Sequence, residues 1–262
     1  MKKTNIYIIL VAFLLPFAGC KEDVPTLFAE PDGIYFSASS DSLAYTFAKY
    51  PSRLQDTLKI PVTVLGKASN TDREIIIEKG TGADVNAAEG IHYKLLPPYK
   101  MPAGKVSTII PVVVNRTGEM DSITAIFILR LKANQNFQSG ISSKTSLKVK
   151  VGYLQKPPTW GEYGSTQWWA GNSANFGTWT RTKYKVVLTA LYDPVSDTTV
   201  TEFPATGGTF SAPAIYLQYR QLVKNYIMAN YPGNYSIPEG IGPTLRDPDA
   251  GNQVIKVGPA NY

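Results

Sequence analysis

The sequence predicts a mainly β protein: a β-sandwich followed by a smaller α+β C-terminal domain. Three observations lead there. Short apolar runs, several of them alternating with polar residues, recur from Gly33 to Leu154. The chain holds 21 Gly and 19 Pro, many of them between those runs, as turns between short strands require. After Pro157-Pro158 the character changes: all four tryptophans fall between Trp160 and Trp179, and a helical stripe follows at 211–231.

The chain opens on Met1-Lys2-Lys3, and Ile6 to Leu15 (IYIILVAFLL) is an unbroken run of ten apolar residues. As a helix it would be about 15 Å long, half of the roughly 30 Å of a bilayer core. A positive start, a run of this length and small residues after it describe a secretory signal peptide over 1–19. Phe17-Ala18-Gly19-Cys20 resembles the bacterial lipobox, with Phe17 where Leu is usual. The resemblance implies that Cys20 is lipidated and becomes the mature N-terminus. Single chains bind membranes only reversibly, and two or three on one cysteine make a stable anchor. Lys21-Glu22-Asp23 resembles the surface-export tract of Bacteroidetes lipoproteins, and residues 20–32 read as a lipidated tether. The expected location is the outer membrane, lipid-anchored and facing the exterior.

From Gly33 the strands follow in order. GIYFSAS (33–39) is the first and SLAYTFAKY (42–50) the second. TLKIPVTVLG (57–66) alternates, putting Leu58, Ile60, Val62 and Val64 on one face. REIIIEKG (73–80), KVSTIIPVVVN (105–115) and ITAIFILRLKAN (123–134) are apolar and rich in β-branched residues. SLKVKVGYL (146–154) turns Leu147, Val149 and Val151 inward and Lys148 and Lys150 outward. Pro61 and Pro111 interrupt two of these runs, which predicts an edge or a bulge at each. Seven or so strands with regular turns fit a sandwich over 33–154. The C-terminal domain, 155–262, is expected to hold a strand at 182–193 with a partner at 198–205. A helix at 211–231 follows, capped by Ser211 with Pro213 in its first turn, and a last strand over 252–258. Its stripe is Ile215, Tyr219, Leu222, Val223 and Tyr226.

Removing residues 1–19 takes away Lys2 and Lys3 and no acid, leaving 24 Lys and Arg against 20 Asp and Glu, a net charge of +4. With no basic run or nucleic-acid motif, nucleic acid is not an expected partner. Cys20 is the sole cysteine, so no disulfide within the chain is available and stability rests on buried area.

Residues 83–114 resemble the Calx-beta type of immunoglobulin-like fold, through His92-Tyr93 and then Pro102-Ala103-Gly104-Lys105 before an apolar strand. His92 stands where that family has Asp, and only Asp84 and Glu89 lie nearby, so calcium and other metals are not expected. Gly33-Ile34-Tyr35-Phe36, Trp179-Thr180 with Lys183-Tyr184, the 211–231 helix and Asp249-Ala250-Gly251-Asn252-Gln253-Val254 occur in an order that resembles an uncharacterised lipoprotein family of Bacteroides and relatives. That resemblance implies an immunoglobulin-like β-sandwich and a setting beside outer-membrane transporters, with no assigned activity. Asp41-Ser42, Asp56-Thr57, Asp121-Ser122 and Asp197-Thr198, each followed by an apolar residue or Thr, resemble the Bacteroidetes O-glycosylation pattern. Ser42, Thr57, Ser122 and Thr198 are the candidate acceptors, although Asp-Ser and Asp-Thr also start turns.

No motif names a reaction. His92 is the single histidine, and a serine nucleophile would need it as its base, yet no Gly-x-Ser-x-Gly elbow is present; His92 reads as a loop histidine. The glycines of 161–167 do not follow a strand and open a helix. No cofactor is implied, and the chain is expected not to be an enzyme. The candidate ligand residues are Trp160, Trp168, Trp169 and Trp179, set among amides and hydroxyls suited to a glycan. The same rings would equally glue the second domain to the sandwich. The expected role is a non-catalytic binding or accessory component of nutrient uptake, with a glycan as candidate ligand and a transporter complex as candidate partner. The alternative is a structural lipoprotein that docks on a surface protein without a small ligand.

Overall fold

Two five-stranded sheets face each other across the core. A computed structural model describes residues 32–157, 160, 176–202 and 214–258. The signal peptide, Cys20, the tether as far as Pro31, Trp168, Trp169, and Ser211 with Pro213 lie outside the described residues.

The strands are β1 (Gly33–Phe36), β2 (Ser42–Thr46), β3 (Gln55–Leu65), β4 (Arg73–Gly80), β5 (Tyr93–Leu95), β6 (Tyr99–Met101), β7 (Ser107–Asn115), β8 (Ala125–Lys132), β9 (Gln138–Ser139) and β10 (Ser146–Gly152). One sheet runs β5-β7-β3-β1-β9 and the other β2-β10-β8-β4-β6. The first two strands are divided between the sheets: β1 pairs antiparallel with β3, and β2 pairs parallel with the last long strand, β10. With β3 beside β7 and β10 beside β8 beside β4, this is the strand arrangement of an immunoglobulin-like sandwich.

The period-two pattern sets which face is buried. Leu58, Ile60, Val62 and Val64 of β3 and Ile110, Val112 and Val114 of β7 point into the core. Phe127, Leu129 and Leu131 of β8 and Leu147, Val149 and Val151 of β10 meet them from the other sheet. Each such side chain contributes about 1.5–3 kcal/mol on burial. Tyr93 and Phe127, one from each sheet, stack at 4.0 Å between centroids, 8° from parallel. Gly33 opens β1 because a Cβ there would stand 2.7 Å from Gly140 Cα.

Pro61 and Pro111 mark neither sheet edges nor bulges. Both β3 and β7 are flanked on each side, and their register runs unbroken through the Pro61–Ile109 and Lys59–Pro111 pairs. The carbonyl of Pro61 accepts from Ser37 N at 3.0 Å, so its ring nitrogen faces the β1 side, one residue past where β1 ends. Pro111 stands one residue past the end of the β5 ladder, and its carbonyl accepts from the Tyr99 hydroxyl at 3.4 Å. Each missing donor falls at a ladder terminus, where a proline costs least.

Residues 181–190 correct the expectation of a strand. They form helix α1 (Arg181–Ala190), and 198–202 make one bridge, Asp193 with Thr198, in place of a partner strand. Thr180 caps α1 by accepting from Lys183 N at 3.1 Å. Lys183, Tyr184, Val187, Leu188 and Leu191 are buried, a helical spacing. Helix α2 (Ala214–Asn230) packs against α1 and buries Val223 and Ile227. Of its expected stripe, Leu222 and Ile215 are exposed, and Tyr219 and Tyr226 are half-buried. The last expected strand is shorter than 252–258: β12 (Gln253–Val254) pairs with β11 (Arg246–Asp247).

The helical part is tied to the sandwich within one compact unit, Asp32–Tyr262. Asp197 accepts from Ser52 Oγ at 2.5 Å and lies 3.8 Å from Arg53 Nε, while Arg181 donates to Ser122 Oγ at 2.7 Å. Among the described residues no helix is long and apolar enough to cross a membrane.

Candidate functional site

A groove of about 360 Å³ lies where β2 and β10 meet the helical part. Strand pairing builds its first wall: Ala44 is opposite Lys150 and Thr46 opposite Gly152, all on the outer face of the sheet because Leu147, Val149 and Val151 take the inner one. Gly152 leaves room for Gln155, since a Cβ there would overlap the Gln155 amide oxygen at 1.8 Å. Gln155 is held by donating to the carbonyls of Met120 at 3.1 Å and Ile123 at 2.9 Å.

The opposite wall comes from three places. Tyr184 enters from α1. Lys49 ends a 3-10 turn, Phe47–Lys49, whose Phe47 and Ala48 are buried. The Lys49 carbonyl accepts from Thr199 N at 3.0 Å, which brings Thr201 and Glu202 to the rim. Lys156 and Pro157 close the end where the chain leaves β10. Among the described residues the lining therefore offers phenol, hydroxyl, amide and ammonium groups beside the apolar Ala44 and Pro157, with Glu202 its only carboxylate.

Both phenols stay neutral. Burial raises Tyr184, and burial with a 2.6 Å hydrogen bond to Asp56 raises Tyr45, each far above the usual tyrosine value. Burial also pushes Asp56 upward. Its bonds from Tyr45, Thr57 N and Arg53 outweigh that and leave its carboxyl below the usual range.

Neither Trp160 nor Trp179, the two tryptophans among the described residues, lines this groove. Trp160 is 1% exposed: it stacks on Phe176 at 5.4 Å, meets Tyr184 edge-on at 5.7 Å and donates Nε1–H to Gly177 O at 3.1 Å. No face of its ring is open to a sugar. Trp179 is half-buried against the core, with a buried Nε1 that has no hydrogen-bond partner among the described residues. Trp160 nonetheless reaches the groove indirectly, through Tyr184. The lysines that do line it are separated by up to about a hundred residues, which no local motif reveals.

His92 is buried. Its Nδ1 accepts from Ala88 N at 2.9 Å and its Nε2 contacts Glu119. Asp84 and Glu89 each face a lysine, Lys148 at 2.8 Å and Lys79 at 3.7 Å. Among the described residues no three His, Cys, Asp or Glu gather as metal ligands would. Of the candidate acceptors, Thr57 and Ser122 are exposed and Ser42 and Thr198 half-buried. The Ser122 hydroxyl is engaged by Arg181 and that of Thr198 lies 2.7 Å from Ser196 Oγ.

The sequence from the strand-β1 entry through α1, residues 28–192, matches a single family model. The chain belongs to the DUF4843 family, a domain of unknown function. DUF4843 thus spans the sandwich and the Trp179–Tyr184 stretch, in which Thr180 caps α1 and Lys183 and Tyr184 start its buried face. Comparison with the curated proteins finds no match. Among solved structures, similarity extends to a candidate carbohydrate-binding protein from Bacteroides ovatus, at 12% identity and TM-score 0.34 over 46% of this chain and 36% of that one. A two-domain protein of unknown function from Bacteroides fragilis aligns at 13% identity and TM-score 0.34, covering 47% and 46%. A protein of unknown function from Bacteroides ovatus aligns at 13% and 0.35, covering 48% and 45%. The chain spans less than half the length of each.

Proposed function

We propose that this DUF4843 member is a lipid-anchored outer-membrane protein facing the exterior, a non-catalytic binding or accessory component of a nutrient-uptake system with a glycan as its ligand. The observation that carries the reading is the groove at β2, β10 and α1. Its phenol, hydroxyl and amide lining is the kind that orients a polar, ring-shaped ligand. The lack of catalysis is supported by the chain's one histidine, which is committed to Ala88 and Glu119. The Calx-beta likeness belongs to the same reading: a sandwich of that kind in which Asp84 and Glu89 are each paired with a lysine.

A ligand in the groove touches Tyr184, whose ring lies against Trp160. Titration with a glycan panel is therefore expected to change tryptophan fluorescence for at least one member. Silence across the panel, together with co-purification of a surface protein from solubilised outer membranes, would favour the docking reading instead. That second reading draws on the exposed apolar Ile237 and Ile241, 97% and 61% accessible.

The anchor rests on Cys20 and the lipobox before it. Cys20→Ser is expected to move the protein, without its leader, from the membrane fraction to the soluble fraction. Retention in the membrane by the variant would overturn the anchor.

A further inference from the structure

The groove does not stop at Lys150. A second groove of about 430 Å³ runs along the same outer face, lined by Ser42, Ser143, Ser146 and Lys148, and it shares Lys150 with the first. Along β10 the two reach from Gly152 to Ser146, six residue steps or about 20 Å. Among the described residues four lysines line this track, Lys49, Lys148, Lys150 and Lys156, against Asp41 and Glu202, one in each groove, with Asp84 beside Lys148 and Lys150. Lys148 is bound to Asp84 at 2.8 Å. Lys150, at the midpoint, is exposed and makes no ion pair or hydrogen bond among the described residues.

From this arrangement, and resting on the reading of the protein as a glycan-binding component, we infer that the outer face of β2 and β10 binds an extended acidic polysaccharide, whose carboxylates or sulfates pair with the lysines of the track. The elongated shape fits a chain rather than a single sugar. Serine, threonine and glutamine between the ammonium groups match the hydroxyls of such a chain. A bilayer surface would call for a protruding apolar wedge among the cations, and here the apolar lining is recessed between strands and helix. Tyr45 and Tyr184, held neutral, add no charge that would repel the ligand.

The test is binding of polygalacturonate (carboxylate), chondroitin sulfate (sulfate) and neutral dextran by calorimetry, with the folded protein and two variants. Lys150→Glu reverses the charge at the middle of the track. Lys59→Glu makes the same change on the exposed face of the other sheet. The expected result is binding of at least one acidic chain, weakened about tenfold or more by Lys150→Glu and unchanged by Lys59→Glu, with equal melting temperatures. Which acidic chain binds separates carboxylate from sulfate recognition. Equal loss in both variants reduces the effect to net charge and overturns the inference. Dextran binding that ignores Lys150→Glu overturns it while leaving the glycan-binding reading in place. Stronger binding to phosphatidylglycerol vesicles than to any acidic chain overturns it in favour of a membrane surface. No binding to any of the three chains overturns it, while a response from another member of the glycan panel keeps the glycan-binding reading.

Discussion

Replacing Trp160 with alanine is expected to cost about 4 kcal/mol of folding stability, the range for removing a large aromatic from a core. Trp160 is among the largest fully buried side chains, and the described structure explains its weight. Its face lies on Phe176 and its edge meets Tyr184, so truncation opens a void between α1 and the sandwich. The loss includes the bond from Nε1 to Gly177 O. Trp160→Phe keeps a ring in the site but leaves that carbonyl without its indole donor, and about 2 kcal/mol is expected for it. Urea unfolding followed by circular dichroism measures both. A loss below about 1 kcal/mol for the alanine variant would place the ring outside the core and reopen it as a ligand platform. The phenylalanine variant separates the two roles: it lowers stability and leaves ligand affinity intact if Trp160 only packs.

The sandwich was legible because its information is local. Alternation at Leu58-Ile60-Val62-Val64 and Leu147-Val149-Val151 fixes which face is buried without knowledge of the partner strand. The prolines were harder, because the cost of a missing donor depends on where a neighbour stops, and that is set by β1 and β5 rather than by β3 and β7. Residues 182–193 misled for a related reason. Tyr184, Val186 and Leu188 alternate as in a strand, while Tyr184, Val187, Leu188 and Leu191 form a helical stripe, so the pattern alone fits both. The deciding residue was Thr180, whose hydroxyl caps the helix. On α2 the expected stripe holds at Val223, which is buried, but Ile227 takes the other core position while Ile215 and Leu222 face water. The groove was not legible at all. Lys49, Lys150 and Lys156 come together only because β2 pairs parallel with β10 and the Thr199 amide docks on Lys49.

Stability is expected to rise as pH increases from 8 to 10, and Lys183 is the cause. Its side chain is fully buried in the first turn of α1, and burial pushes its amine down to about 8 from an ordinary 10.5, with the charge of Asp247 partly opposing the shift. Asp247 is itself fully buried, accepting from Thr180 Oγ1 at 2.5 Å and from Asp249 N at 3.0 Å. Between pH 8 and 10.5 the unfolded chain holds the Lys183 proton more tightly than the folded one. Raising the pH through this window therefore favours folding. Below pH 8 the full penalty is present, about 3 kcal/mol for a depression of this size, and it disappears above the unfolded value. Tyr45 and Tyr184 work in the opposite direction. Their raised folded values contribute stability that is complete below pH 10 and is lost above it, which closes the window near pH 10. Chemical denaturation at pH 7.5, 9 and 10 should show the wild-type free energy climbing by about 2 kcal/mol. Lys183→Met has no amine to titrate, so its curve should be flat over the same range. It also removes the cation beside Asp247 and is expected to be destabilised throughout. The gap between the two proteins should accordingly widen as pH rises. Parallel curves would mean that Lys183 keeps an ordinary affinity for its proton in the folded state, and that the buried pair with Asp247 is not what sets the alkaline behaviour.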